Sequence, residues 1–342
     1  PDGDAVRDFA AQHQDAIGFH VFLQYLCDGQ LAHAAAQGVG LYRDLAVGAA
    51  PDGAEAWAGR DLLLGGFSIG APPDPLGPLG QVWGLPPPNP MAPGMVQSFG
   101  ALVRANMRHA AALRIDHVMQ LSRLFVVPEG APGSAGCYLS YPTHALLAEL
   151  AAASQDTHCL VVGEDLGTVP EGFSDTLRAA DILSYRVLWF ENFSPPAAWP
   201  ARATACVSTH DLPPLAGWWE GADILERQAL ELLDAAEVDA ALAARANERV
   251  RLMQAIGEET ARADAPFDAA LAAAVHAHVA ATPCALMLVQ ADDLAAGRIG
   301  TNLPGTDRER PNWRRRLPAD AQALMATPVA QAILAACAPR RA

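Results

Sequence analysis

Three strings in this sequence place carboxylates where short apolar runs end. In Ala112-Leu-Arg-Ile-Asp-His117 the run delivers Arg114, Asp116 and His117. Strand alternation points Arg114 and Asp116 to one face. A guanidinium beside a carboxylate lowers the acid's pKa and holds it ionised, the state a nucleophile needs. In Leu160-Val-Val-Gly-Glu-Asp-Leu-Gly167 the run ends in Glu164 and Asp165, bracketed by glycines that let the backbone turn sharply and a ligand approach closely. Beside other carboxylates Glu164 would bind its proton more tightly and could give it to a leaving-group oxygen. In Ala205-Cys-Val-Ser-Thr-His-Asp211, followed by Leu212-Pro213-Pro214, His210 and Asp211 are suited to binding sugar hydroxyls. Taken singly, each string also has a plainer reading: an ion pair at a strand terminus, a capped turn, or an element of a metal site.

Together they say more. Asp116, Glu164 and Asp211 stand 48 and 47 residues apart, each at a strand end. Two carboxylates flanking a glycosidic bond are the minimum for its cleavage, one attacking the anomeric carbon and the other protonating the departing oxygen. The elements that must position them are six β-type runs: Val39–Leu45, Ala112–Ile115, Cys159–Val162, Tyr185–Phe190, Ala205–Ser208 and Cys284–Val289. Helical patterns alternate with them, as at Gly100–Ala111, Thr143–Ala153 and Glu171–Ala180, and β/α alternation implies a parallel sheet. Reactive residues after several different strands favour a (β/α)8 barrel over a doubly wound sheet. Six strands are two short of closure, and the chain opens at Pro1 in a helix-like segment running to Gln37. The expectation is therefore the C-terminal part of a barrel, about its last six strands, with loop and helical insertions.

Residues 50–98 are rich in Pro and Gly, including Pro72-Pro73 and Pro86-Pro87-Pro88. They are expected to form neither helix nor central strand but a substrate loop. Residues 212–280 read as a helical insertion near the late strands. The tail from Pro318 reads as an alanine-rich helix with Arg340 and Arg341 in its last turn.

Composition narrows the partners. A formal net charge of −15, from 38 acidic and 23 basic residues with no lysine among them, argues against nucleic acid. No long apolar run or export signal is visible, and the six cysteines form no C-x-x-C pair, which fits buried free thiols in a reducing cytoplasm. No membrane association is expected, and the sequence names no protein partner.

Read together, these strings resemble family 77 of the glycoside hydrolases, the 4-α-glucanotransferases or amylomaltases, nearest its longer bacterial branch. Besides Arg114-Ile-Asp-His117, Gly163-Glu-Asp-Leu-Gly167 and Thr209-His-Asp211, the likeness includes Gly40-Leu-Tyr-Arg-Asp-Leu45, Gly77-Pro-Leu-Gly-Gln81, Gly80-Gln-Val-Trp-Gly84, Ala105-Asn-Met107, Thr168-Val-Pro170 and Asn302-Leu-Pro-Gly-Thr306. The resemblance implies Asp116 as nucleophile, Glu164 as acid/base and Asp211 as the carboxylate that stabilises the transition state. It implies substrate-binding roles for Arg114, His210, Asp44 and His117, for Gln81 and Trp83 on a loop over the acceptor side, and for Asn302 and Pro304 near the donor side. A Trp among prolines and glycines favours an exposed stacking platform. The implied activity is transfer of a segment of an α-1,4-glucan to the 4-hydroxyl of an acceptor glucan or glucose, with no metal and no cofactor. Competing readings are an α-amylase-type retaining hydrolase, a metal-dependent hydrolase liganded by Asp116, His117, His210 and Asp211, and an inactive glucan-binding barrel fragment.

Overall fold

The computed structural model of this chain describes residues 1–73, 79–306 and 308–338. Among the described residues the strands are β1 (Tyr42–Leu45), β2 (Phe67–Ala71), β3 (Gln81–Val82), β4 (Ala112–Ile115), β5 (Arg123–Pro128), β6 (Cys137–Ser140), β7 (Leu160–Gly163), β8 (Ser184–Val187), β9 (Ala203–Cys206) and β10 (Leu286–Leu288). The chain divides into two compact units, Pro1–Ser184 and Tyr185–Ala342.

In the first unit β1, β4 and β7 form a parallel sheet in the order β1-β4-β7. Leu113 and Ile115 of β4 are fully buried, as an interior parallel strand requires. Between β1 and β4 runs the helix Met95–Met107, and between β4 and β7 the helix Thr143–Thr157. Their apolar faces, Val103, Met107, Leu146 and Leu150, pack in one core with Leu113, Ile115 and Val161. A parallel bridge from Val162 to Leu183 continues the pairing to the residue before β8. In the second unit β8, β9 and β10 form a parallel sheet, β10-β9-β8. Its core gathers Leu188, Trp199, Leu215, Trp218, Trp219 and Val275. The helix Ala235–Ile256 starts with a capping box in which Asp234 and Glu237 each bond the other's backbone N–H. All six β-type runs contain strands, with boundaries shifted by up to three residues.

Two expectations need correction. The Pro/Gly-rich stretch does contain a central strand: β2 lies between β3 and β5 in a four-stranded antiparallel sheet, β3-β2-β5-β6. Gly70 makes this possible, because a Cβ there would sit 2.1 Å from the Gln81 carbonyl oxygen. Strands β5 and β6 were not anticipated at all. The cysteines are free, but Cys27 and Cys137 are exposed, so not all are buried thiols. The tail helix is Pro328–Cys337; Arg340 and Arg341, like Gly77 and Pro78, lie outside the described residues. Among the described residues no helix is long and apolar enough to cross a membrane.

One contact in the second unit tests the fold directly. A Cβ on Gly217 would stand 2.0 Å from the Arg298 carbonyl oxygen, backbone that cannot give way cheaply. Gly217→Ala is expected to lower unfolding free energy by about 1–3 kcal/mol through overpacking, read as a lower urea midpoint at unchanged slope. An unchanged midpoint would refute the contact.

Candidate active site

The parallel register of β1 and β4 sets Asp44 directly opposite Arg114. Arg114 is 6% exposed, and its Nη1 donates to both oxygens of Asp44, at 2.7 and 2.9 Å. The same Nη1 lies 2.8 Å from Asp116 Oδ1, one residue past the end of β4. Arg114 thus holds two carboxylates at once. Burial would lower its pKa, but the charges of Asp116 and Asp44 more than reverse that, so the guanidinium stays charged. The Asp116 backbone is fixed as well, its N–H donating to the Leu45 carbonyl and its carbonyl accepting from Gln120 Nε2 at 2.6 Å.

Glu164 follows β7 and is 8% exposed. Its N–H donates to the Ile115 carbonyl and its carbonyl accepts from the Val118 N–H, so the loops after β4 and β7 are laced together. Oε2 accepts from the His117 N–H at 2.9 Å and Oε1 from the Leu166 N–H at 2.8 Å. Burial first, and the nearby charge of Asp116 second, raise the Glu164 pKa from near 4.5 to about 7, against the pull of Arg114 and the two backbone donors. The group thus keeps its proton up to near neutrality. His117 takes left-handed backbone, φ +46°, which aims its N–H at Glu164. Burial, then the Arg123 charge, lower its imidazole pKa to about 4, so the ring is neutral.

Trp83 meets the His117 ring edge to face at 5.6 Å, and its Nε1 donates to Gln81 Oε1 at 3.1 Å. It is half-buried against the core rather than standing free as a platform, because β3 pairs with β2 and seats it there. The first unit therefore brings together Asp44, Gln81, Trp83, Arg114, Asp116, His117 and Glu164.

In the second unit, Asp211 follows β9. Its Oδ1 accepts from Asn302 Nδ2 at 2.7 Å, and its Oδ2 lies 3.3 Å from His210 Nε2. The Asn302 N–H donates to the His210 carbonyl, and the Trp313 ring lies 5.1 Å from the His210 ring. Buried Arg310 fastens this loop, donating to the Gly300 carbonyl at 2.6 Å and to Asn312 Oδ1, while pairing with Glu226 at 3.0 Å. Asn312 Oδ1 in turn accepts from the Leu303 N–H. Pro304 lies exposed at the turn beyond Leu303. Sequence reasoning missed Gln120, Arg310, Asn312 and Trp313. The string Arg310-Pro-Asn-Trp313, with an aromatic and an amide beside a proline, was the available signal.

An ionised Asp locked to Arg, beside a Glu that keeps its proton near neutrality, can perform attack and protonation at a glycosidic carbon. Such a pair on an α/β chain with parallel strands is of the kind found in carbohydrate-active enzymes. The chain belongs to the 4-alpha-glucanotransferase family, whose profile matches residues 1–322. It is similar to a 4-alpha-glucanotransferase of Mycobacterium tuberculosis, 38% identical over 334 residues, covering 92% of this chain and 46% of that protein. A Haemophilus influenzae 4-alpha-glucanotransferase is 35% identical over 326 residues, again covering 46% of that protein. Among solved structures, amylomaltase from Corynebacterium glutamicum matches at TM-score 0.88 and 31% identity, over 95% of this chain and 50% of that one. The α/β architecture here is thus that of part of a (β/α)8 barrel. Amylomaltase from Streptococcus agalactiae, solved with acarbose, shares the fold at TM-score 0.76 and 18% identity. The chain spans about half the length of the relatives it matches.

The Glu164 environment makes a measurable prediction. Carbon-13 NMR of its carboxyl should titrate near 7, and Asp116→Asn should move the midpoint down while leaving it above 4.5. The native state holds more protons than the unfolded state between those values, so Glu164 makes the fold lose stability as pH rises through that window. A midpoint unmoved by Asp116→Asn would show that the Asp116 charge does not act on Glu164.

Proposed function

We propose that the protein is a 4-α-glucanotransferase that rearranges α-1,4-glucans by a retaining double displacement. The observation that carries this reading is the pairing of Asp116, bound to Arg114, with Glu164, whose proton is retained to about 7. Asp116 attacks the anomeric carbon while Glu164 protonates the leaving glucan oxygen. The covalent glycosyl intermediate is then opened by the 4-hydroxyl of an acceptor, which Glu164, now ionised, deprotonates. Asp211, held by Asn302, supplies negative charge to the oxocarbenium-like transition state, and His210 donates to a sugar hydroxyl. Arg114 and Asp44 keep the nucleophile oriented. Gln81, Trp83 and His117 contribute binding surface on the acceptor side, and Asn302 with Pro304 on the donor side. Residues 50–98 serve this reading as substrate loop and 212–280 as a helical elaboration of the late strands.

The substrates under this reading are maltodextrins and related α-1,4-glucans, with glucose as an acceptor, in the cytoplasm. The chemistry proceeds through carboxylates alone and calls for no cofactor. Transfer rather than hydrolysis requires that sugar outcompete water at the acceptor side, and the half-buried Trp83 beside His117 supports a site that excludes water.

Incubation with maltotriose tests the proposal. Transfer yields glucose plus longer maltodextrins, hydrolysis yields glucose and maltose alone, and an inert glucan-binding chain leaves maltotriose unchanged. Asp116→Asn is expected to lower the rate by about 10³-fold or more with little change in thermal midpoint. A variant with undiminished transfer would remove Asp116 from the mechanism.

A further inference from the structure

Two adjacent aspartates outside the site, Asp292 and Asp293, open the short helix Ala291–Leu294. They reach two different loops. Asp293 Oδ1 accepts from the Leu215 N–H at 2.7 Å, and Asp292 Oδ2 accepts from the Thr301 hydroxyl at 3.3 Å. Leu215 begins the helix that follows the Asp211 loop, and Thr301 is the neighbour of Asn302, the residue that binds Asp211.

The path from Leu215 back to Asp211 is stiff. Pro213 and Pro214 fix their own φ angles, Ser208 Oγ donates to the Pro213 carbonyl at 2.8 Å, and the Leu212 N–H donates to the Thr209 carbonyl. Close packing of Gly217 on the Arg298 backbone brings the two chain segments together behind the loops. In front, the Asn302 N–H donates to the His210 carbonyl. A displacement at Leu215 or Thr301 therefore reaches the Asp211–Asn302 contact with little to absorb it.

Asp293 is 2% exposed, and behind it lies His276, 0% exposed. His276 Nδ1 stands 2.8 Å from the Ala272 carbonyl; a carbonyl only accepts, so Nδ1 bears hydrogen. Nε2 faces Asp293 Oδ2 at 3.6 Å, and neither atom has another partner among the described residues. With Nδ1 turned to that carbonyl, Nε2 is the ring atom that faces the Asp293 carboxylate, so the buried imidazole backs the aspartate that accepts the Leu215 N–H.

We propose that Asp293, backed by His276, and Asp292 are positioning residues that hold the two loops converging on Asp211. Neither touches substrate. Their effect on transfer rests on the function proposed above, whereas their effect on the loops does not.

Amide hydrogen exchange and kinetics together test this. In Asp293→Ala the Asn302 amide should exchange about tenfold faster or more while the rest of the core keeps its protection. On maltotriose the variant should lose about 10²-fold in kcat with KM nearly unchanged, as a misplaced catalytic group does. Asp293→Asn should restore activity to within about threefold, because its Oδ1 still accepts from Leu215 and its Nδ2 can donate to a bare His276 Nε2. The double variant Asp211→Asn/Asp293→Ala should be about as slow as Asp211→Asn alone, since the second change acts through a group already removed. Multiplying losses, or an Asn302 amide whose exchange is unchanged, would overturn the proposal. Should Asp293→Ala fail to fold, Thr301→Val removes only the hydroxyl on Asp292 and must speed Asn302 exchange; unaltered exchange there also overturns it. The exchange result needs no substrate, so it decides the positioning role even if maltotriose is not turned over.

Discussion

Arg114 is a buried cation, and the arrangement of the first unit follows from how its charge is met. A guanidinium taken out of water is costly unless paired on more than one side. Here the register of β1 with β4 supplies Asp44 from the neighbouring strand, and the end of β4 itself supplies Asp116. Asp44 neutralises Arg114 from one side, so Asp116 is not the only charge it must serve. The dependence then runs onward. Asp116, held close and charged, adds to the burial of Glu164 in raising that group's pKa, so the Glu164 proton depends, through Asp116, on the arginine of the neighbouring strand that holds it.

The second unit positions its carboxylate by other means. An amide and an imidazole hold Asp211, both carried by loops. Loops position less accurately than strand ends unless they are themselves fastened. Arg310 with Glu226, Asn312 across the turn, and the Asp292-Asp293 pair provide that fastening. Where the first unit relies on strand register, the second relies on buried polar groups, and these are the residues to which a change of loop sequence would be least tolerated.

This difference decides what the sequence could reveal. Strand ends were legible because β4 and β7 are short apolar runs that stop at Asp116 and Glu164, and local pattern is enough to see that. The Arg114–Asp44 contact was open to inference too, since both residues occupy strands expected to be parallel. By contrast, β2 was obscured by Gly65, Gly66 and Gly70, whose composition marks a loop although Gly70 serves close strand pairing. The run Leu124-Phe-Val-Val127 of β5 was a readable strand signal, ended by Pro128, that lay outside the β/α alternation and so found no place in it. Arg310, Asn312 and Asp293 act over 84, 9 and 78 residues of sequence respectively, on Glu226, Leu303 and Leu215. Only the first and last of those reaches are long, but none leaves a periodic trace, because a hydrogen bond to a backbone group asks for one donor or acceptor and imposes no pattern on its neighbours.

The proton balance at Glu164 explains why its surroundings are mixed rather than simply apolar. In a double displacement the same carboxyl must give a proton in the first half and take one in the second. Burial alone would hold the proton too firmly for the first step and leave a poor route to the ionised form needed for the second. The two backbone N–H groups of His117 and Leu166, together with Arg114, oppose burial by stabilising the carboxylate. The Asp116 charge enters on the other side of this balance, and under the proposed double displacement it is a contribution that the first step would remove. Esterification of Asp116 in the proposed covalent intermediate would remove its charge and so lower the Glu164 pKa. Under that proposal the group would bind its proton more tightly while it acts as acid and less tightly once that proton has been given away. In the proposed mechanism, the Asp116 charge next to a buried carboxyl would therefore tie the protonation of Glu164 to the progress of the reaction.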